Sequence, residues 1–162
     1  MIRLPKKLSD YKKLRIESPK EIKFFQRTNP NPRIVDVFKH MDLHNVNFVW
    51  MGNVDVVGVL SINPEKGDGH IWLSTLFVNP KYENRGFGSE ILEFAIDRYH
   101  IDALIVKKTD KKAIHLYEKH GFVIVAEGTD LYHNGVYEMY RKCGCDVDKR
   151  EYDSGGRLTA VV

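Results

Sequence analysis

The spacing of apolar positions changes along the chain, and each change predicts an element. Between Tyr11 and Glu17, Leu14 and Ile16 alternate with charged neighbours, the period of a short strand. Ser18-Pro19-Lys20-Glu21 then carries the signals of a helix start: Ser18 as cap, Pro19 in the first helical position, Glu21 closing a capping box. That helix bears Ile22, Phe24 and Phe25 and ends before Asn29-Pro30; Asn31-Pro32 opens a second through Ile34, Val35, Phe38 and Met41. From Val46 the period falls to two. Val46–Met51 and Val54–Ile62 flank Gly52-Asn53, a two-residue hairpin signal. Ile71–Val78 is apolar almost throughout, as expected of a central strand covered on both faces. Gly88–Tyr99 returns to helical spacing, with Ile91, Leu92, Ala95, Ile96 and Tyr99 on one stripe. Ala103–Val106 reads as a buried strand and Lys111–His120 as a helix capped by Asp110. Gly121 suits the left-handed position after that helix, and Phe122 the apolar contact that accompanies it. Val123–Ala126 and Val136–Tyr140 form a last antiparallel pair around Asn134-Gly135.

The predicted order is strand, two helices, three strands, helix, strand, helix, two strands: a single α/β domain over residues 1–142 around one mixed sheet. Residues 143–162 are polar and Gly-bearing, a tail whose apolar end, Leu158–Val162, suits a short extra strand.

Composition narrows the function classes. Apolar residues make up 43% and charged residues 29%, ordinary for a globular domain with its own core. Net charge is +3, which suits an anionic small molecule and is too weak to indicate nucleic acid. No apolar run approaches the roughly 20 residues of a membrane span. Met1 to Lys7 lacks the apolar core of a signal peptide. The two cysteines, Cys143 and Cys145, are too closely spaced for an easy mutual disulfide and have no metal-ligand group nearby, so they read as free thiols in a reducing cytoplasm, with no metal site.

The chemistry-bearing stretch runs from Ser74 to Phe122. Ser74-Thr75-Leu76-Phe77-Val78-Asn79-Pro80 ends a strand, and Arg85-Gly86-Phe87-Gly88-Ser89 opens the next helix. The first N–H groups of a helix lack internal partners, and the helix dipole favours negative charge there. Two glycines keep side chains away, so a pyrophosphate fits directly on the amides, with the Arg85 guanidinium adding a charge-assisted bond. Lys107, Lys108, Lys111 and Lys112 crowd a second helix start, either as a further phosphate contact or as a solvated face. Phe24, Phe25, Phe38 and Trp50 read as core, with an acceptor pocket as the other use of those rings.

These two stretches resemble the GNAT superfamily of N-acetyltransferases. That family's phosphate loop reads Gln or Arg, x, x, Gly, x, Gly or Ala; here Glu83-Asn84-Arg85-Gly86-Phe87-Gly88 keeps the glycines and departs at Glu83. The second signature, Asn-x-x-Ala-x-x-x-Tyr-x-x-x-Gly-Phe, appears as Asp110-x-x-Ala113-x-x-x-Tyr117-x-x-x-Gly121-Phe122, with only the first residue changed. The resemblance implies a mostly antiparallel mixed sheet flanked by helices. It also implies an acyltransferase that moves the acetyl group of acetyl-CoA directly to a primary amine. By the same resemblance, backbone at Phe77 and Val78 pairs with the pantetheine arm. The amides from Arg85 through Gly86, Phe87 and Gly88 to Ser89 hold the pyrophosphate. Asp110 and Ala113 border the cofactor, and Tyr117 is the general acid for the departing thiolate.

No one residue stands out as the base. Ser74 and Thr75 stand where many relatives carry a carboxylate, and Glu127, Asp130, His133, Glu138, His40 and His44 are all candidate bases, none distinguished. The amine acceptor is unidentified. A homodimer through the last strands or the tail is compatible with the sequence. The departures at Glu83 and Asp110 keep a second reading in play, a catalytically silent acyl-CoA-binding module.

Overall fold

The computed structural model describes residues 6–64, 67–142, 150–152 and 158–161, the last two stretches as backbone only. Its strands are β1 (Lys12–Arg15), β2 (Val46–Met51), β3 (Val56–Asn63), β4 (Trp72–Val78), β5 (Ala103–Lys107), β6 (Phe122–Thr129), β7 (Gly135–Arg141), β8 (Arg150–Tyr152) and β9 (Leu158–Val161). Its helices are α1 (Pro19–Thr28), α2 (Pro32–Lys39), α3 (Phe87–Tyr99) and α4 (Lys111–Lys119), in the expected order. Seven strands form a mixed, mostly antiparallel sheet in the order β1-β2-β3-β4-β5-β7-β6, with β4 at its centre; β8 and β9 pair separately. The chain forms two compact units, Met1–Ser61 with Thr75–Glu93 and Ile62–Ser74 with Phe94–Val162.

In the first unit the helix signals act as read. The Ser18 hydroxyl accepts from Glu21 N, and the Glu21 carboxylate accepts from Glu17 N, one residue earlier than the standard box. Asn31 caps α2 by accepting from Arg33 N. The apolar faces of α1 and α2 meet through Phe25 and Phe38, whose rings stack at 5.3 Å, in one core with Ile16, Ile34, Val49, Met51, Val56, Val59 and Phe77. Phe25, Phe38 and Trp50 are thus core residues, and only Phe24 is exposed.

Buried amides make the corners of this unit. Asn29, just past α1, donates to Phe25 O and Val54 O and accepts from Val56 N. Those bonds hold the Val54 carbonyl and the Val56 N–H on the Asn29 side chain. The expected two-residue turn at Gly52-Asn53 is therefore four residues long, closed by Gly52 N to Asp55 O, and β3 starts at Val56 instead of Val54. Asn47 accepts from the Ser61 hydroxyl at 2.6 Å and donates to Asp42 O. Asn79 ends β4: its N–H goes to Val57 O, its amide NH2 to Val56 O at 2.7 Å, and its side-chain oxygen accepts from Lys81 N. Beside it, a Cβ on Gly58 would lie 2.6 Å from Ile91 Cδ1 and 3.1 Å from Phe77 O, so only glycine lets α3 approach this closely.

In the second unit the start of β4 runs parallel to β5, with Trp72 opposite Ala103 and Leu73 opposite Leu104. β7 pairs antiparallel with β5 and with β6, the latter interrupted by a bulge between Ile124 and Ala126. The β6–β7 turn is wider than the expected Asn134-Gly135 pair. Asp130 accepts from Tyr132 N and Asn134 N, so the turn occupies residues 130–134 and β6 extends to Thr129. Asp102, 3% exposed, accepts from Ile71 N and contacts His70 Nδ1 at 3.1 Å, and the His70 ring lies against Tyr140 at 4.3 Å. The tail carries the expected strand as β9, Leu158–Val161, and β8 as a partner that no sequence signal marked. Cys143 and Cys145 lie outside the described residues.

Asn79→Ala removes two side-chain bonds at a buried corner, so unfolding in urea should show a loss of about 1–3 kcal/mol. A loss indistinguishable from zero would mean that the corner is held by the main chain alone.

Candidate functional site

The strand-to-helix turn of the first unit begins where Asn79 stops β4. A single 3-10 turn, Pro80–Tyr82, follows, and the chain then makes two left-handed steps, at Asn84 with φ 63° and Gly86 with φ 79°. Asn tolerates that region and Gly enters it at no steric cost. The second step swings the backbone into α3: Glu90 N bonds to Gly86 O, so Phe87, Gly88 and Ser89 form the first turn with their N–H groups at the helix N-terminus. A Cβ placed on Gly86 would meet nothing within 4 Å, so this glycine answers a backbone need and stands in open space. That is the geometry an anion requires.

Side chains around the turn divide by chemistry. Phe87 is 2% exposed, its ring edge-to-face with Tyr11 at 5.8 Å and tilted against Tyr82 at 6.5 Å. Arg85 is exposed, its guanidinium 5.4 Å from the Tyr82 ring centre. Glu83 is exposed, clear of the core. Phe77 is buried among core residues and Val78 is half-buried.

In the second unit Asp110 caps α4, accepting from Ala113 N at 3.1 Å. Tyr117, two turns further along α4, is buried and packs edge-to-face on Phe122 at 6.0 Å. Burial, with the Asp110 charge second, pushes its hydroxyl well above the ordinary phenol range, so it stays protonated at neutral pH. Gly121 has φ 90°, the left-handed end expected of α4.

Most candidate bases have local partners. Glu127 pairs with Lys108. Asp130 is held below the usual carboxylate range by the N–H groups of its own turn. Glu138 accepts from the Tyr140 hydroxyl at 2.6 Å, which helps push Tyr140 up to about 12. His40 and His44 pair with Asp36 and Asp42. Lys108, placed over the Tyr137 ring, is engaged as well, and Lys107, Lys111 and Lys112 are exposed. Two features carried no sequence signal: the buried Asp102–His70 contact and the Tyr11–Tyr82–Phe87 ring cluster, which joins segments some seventy residues apart. Among the described residues no three His, Cys, Asp or Glu gather to hold a metal, and no helix is long and apolar enough to cross a membrane.

With this geometry in view, the family model described as Acetyltransferase (GNAT) family matches residues 12–122. No curated protein matches the chain. Solved structures share its fold at low identity. A GNAT family acetyltransferase from Elizabethkingia anophelis with acetyl-CoA bound is 12% identical, with a TM-score of 0.57 over 81% of this chain and 97% of the other. The ribosomal-protein-S18-alanine N-acetyltransferase from Escherichia coli is 20% identical, with a TM-score of 0.58 over 84% and 97%. A Bacillus subtilis acetyltransferase in complex with CoA is 16% identical, with a TM-score of 0.57 over 82% and 98%.

The raised Tyr117 hydroxyl has a stability consequence of definite sign. The unfolded tyrosine ionises near pH 10 while the folded one keeps its proton. Above about pH 10 the native state binds more protons, so stability is full below that pH and falls as pH rises. Tyr82 and Tyr140, also raised, act in the same direction. Melting temperature should therefore fall more steeply above about pH 10 in the wild type than in Tyr117→Phe; parallel curves would mean that Tyr117 is not buried as described.

Proposed function

The chain belongs to the GNAT acetyltransferase family, and on that premise we propose that it transfers an acetyl group directly from acetyl-CoA to a primary amine. The observation that carries this reading is the open helix N-terminus of α3, with Gly86 left-handed and no neighbour within 4 Å of its missing side chain. Amides of Phe87, Gly88 and Ser89 bind the diphosphate, with Arg85 adding charge. Backbone at Phe77 and Val78 aligns the pantetheine arm, with Asp110 and Ala113 along it. That two neighbours of the same fold hold acetyl-CoA or CoA supports the choice of donor.

In the transfer the amine, having shed a proton to solvent or a base, attacks the thioester carbonyl carbon. A C–N bond forms, the C–S bond breaks, and the Tyr117 hydroxyl gives its proton to the departing sulfur, while the nitrogen releases its surplus proton to water and the tyrosinate is reprotonated from solvent, leaving the amide and the free thiol. Burial keeps that hydroxyl neutral and also makes it a weaker acid than an ordinary phenol, so its proton moves only as charge develops on the sulfur. The same proposal includes one catalytic domain over residues 1–142 with 143–162 as a tail, and a cytoplasmic setting in which Cys143 and Cys145 remain thiols. A silent acyl-CoA-binding module is the second reading, favoured by Glu83 and by Asp110, which as a carboxylate cannot donate the amide proton the family's Asn supplies.

Thiol release from acetyl-CoA against a broad amine panel tests the proposal. Turnover with at least one amine is expected, and Tyr117→Phe should lower kcat by about 10²–10⁴ with KM for acetyl-CoA unchanged. An unchanged kcat removes Tyr117 from the acid role. Tight acetyl-CoA binding with no amine reacting selects the module.

A further inference from the structure

Three rings from three separate stretches meet under the phosphate turn. Tyr11 precedes β1, Tyr82 closes the 3-10 turn after β4, and Phe87 is the first residue of α3. Tyr11 stands edge-on to both others, at 5.8 Å from each ring centre and 79–82° from each plane. Its outer side abuts the β2–β3 turn, where a Cβ on Gly52 would lie 3.9 Å from Tyr11 Cε1. Tyr82 also reaches Asp55 in that turn, its hydroxyl 3.5 Å from the carboxylate. Phe87 is the side chain between the two glycines of the turn and is 2% exposed.

This arrangement bears on the turn's shape. Asn84 and Gly86 both sit in the left-handed region, which an unsupported loop visits only as one conformer among many. Burying Phe87 fixes the residue whose own N–H, together with those of Gly88 and Ser89, forms the anion site. Edge-to-face ring pairs are favourable beyond their buried area, and Tyr11 makes two of the three contacts.

We propose that Tyr11 is a positioning residue for the acyl donor: through Phe87 and Tyr82 it holds the 84–89 turn in its diphosphate-binding form. The ring performs this task and the hydroxyl is dispensable. The proposal rests on the donor reading above and adds a determinant from the N-terminal segment, outside both motifs.

The test compares wild type, Tyr11→Ala, Tyr11→Leu and Tyr11→Phe. Calorimetric titration with CoA should give a Kd about tenfold weaker for Tyr11→Ala and Tyr11→Leu, the loss of about one ring pair of loop ordering, and a wild-type Kd for Tyr11→Phe. Pantetheine, which lacks the diphosphate, titrated by NMR should bind all four proteins alike. In ligand-free protein, 15N order parameters at residues 84–88 should drop in Tyr11→Ala and Tyr11→Leu and recover in Tyr11→Phe. Equal CoA affinity across the series at a temperature where all are folded overturns the proposal, as does equal weakening of CoA and pantetheine, which would signify general loosening. If the wild type itself fails to bind CoA, the donor reading falls, and unchanged order parameters across the series would overturn the role of Tyr11 in shaping the turn on their own.

Discussion

The Asn79 corner is the constraint on which the turn into α3 depends. A strand that ends in a binding loop needs a stop that is rigid and that leaves the next residues free to turn. Asn79 meets both needs by giving its N–H to Val57 O and its side-chain NH2 to Val56 O, while its oxygen takes Lys81 N. All three bonds are made in a site 5% exposed, where an unmade bond is costly and the geometry is correspondingly firm. Gly58 supplies the complementary condition, letting Ile91 of α3 close onto β3. The height at which α3 begins follows from these two residues.

The turn so placed is shaped by its main chain, with the Glu83 and Arg85 side chains exposed to solvent. The N–H groups of Phe87, Gly88 and Ser89 stand at the N-terminus of α3, and Tyr117 is kept protonated by burial. Several surface charges are engaged locally, as with Lys108 and Glu127, Asp130 in its turn, and Asp36 with His40. This explains how Glu83 and Asp110 can differ from the family pattern while the local architecture stands. Glu83 is outside the packed part of the turn, and Asp110 caps α4 as well as an Asn does, since capping needs only an acceptor.

The apolar faces of α1 and α2 are largely spent on the core. Phe25 and Phe38 stack on one another, and Phe24 alone of that group reaches solvent.

Patterns of short range were legible from the residues alone. The element order, the Ser18, Asn31 and Asp110 caps, the left-handed Gly121 and the glycine turn at Arg85–Ser89 each depend on residues within a few positions of one another, and helix and turn physics acts at that range. What only the tertiary structure decided depends on partners far away in sequence. Asn29 lengthens the β2–β3 turn by capturing Val54 and Val56, Asp102 holds Ile71 and His70, and Tyr11 supports Phe87 across some seventy residues. A polar or aromatic side chain carries no mark of which distant group it will meet, because that pairing is fixed by packing and by the need to satisfy buried donors and acceptors, and both exist only once the chain has folded.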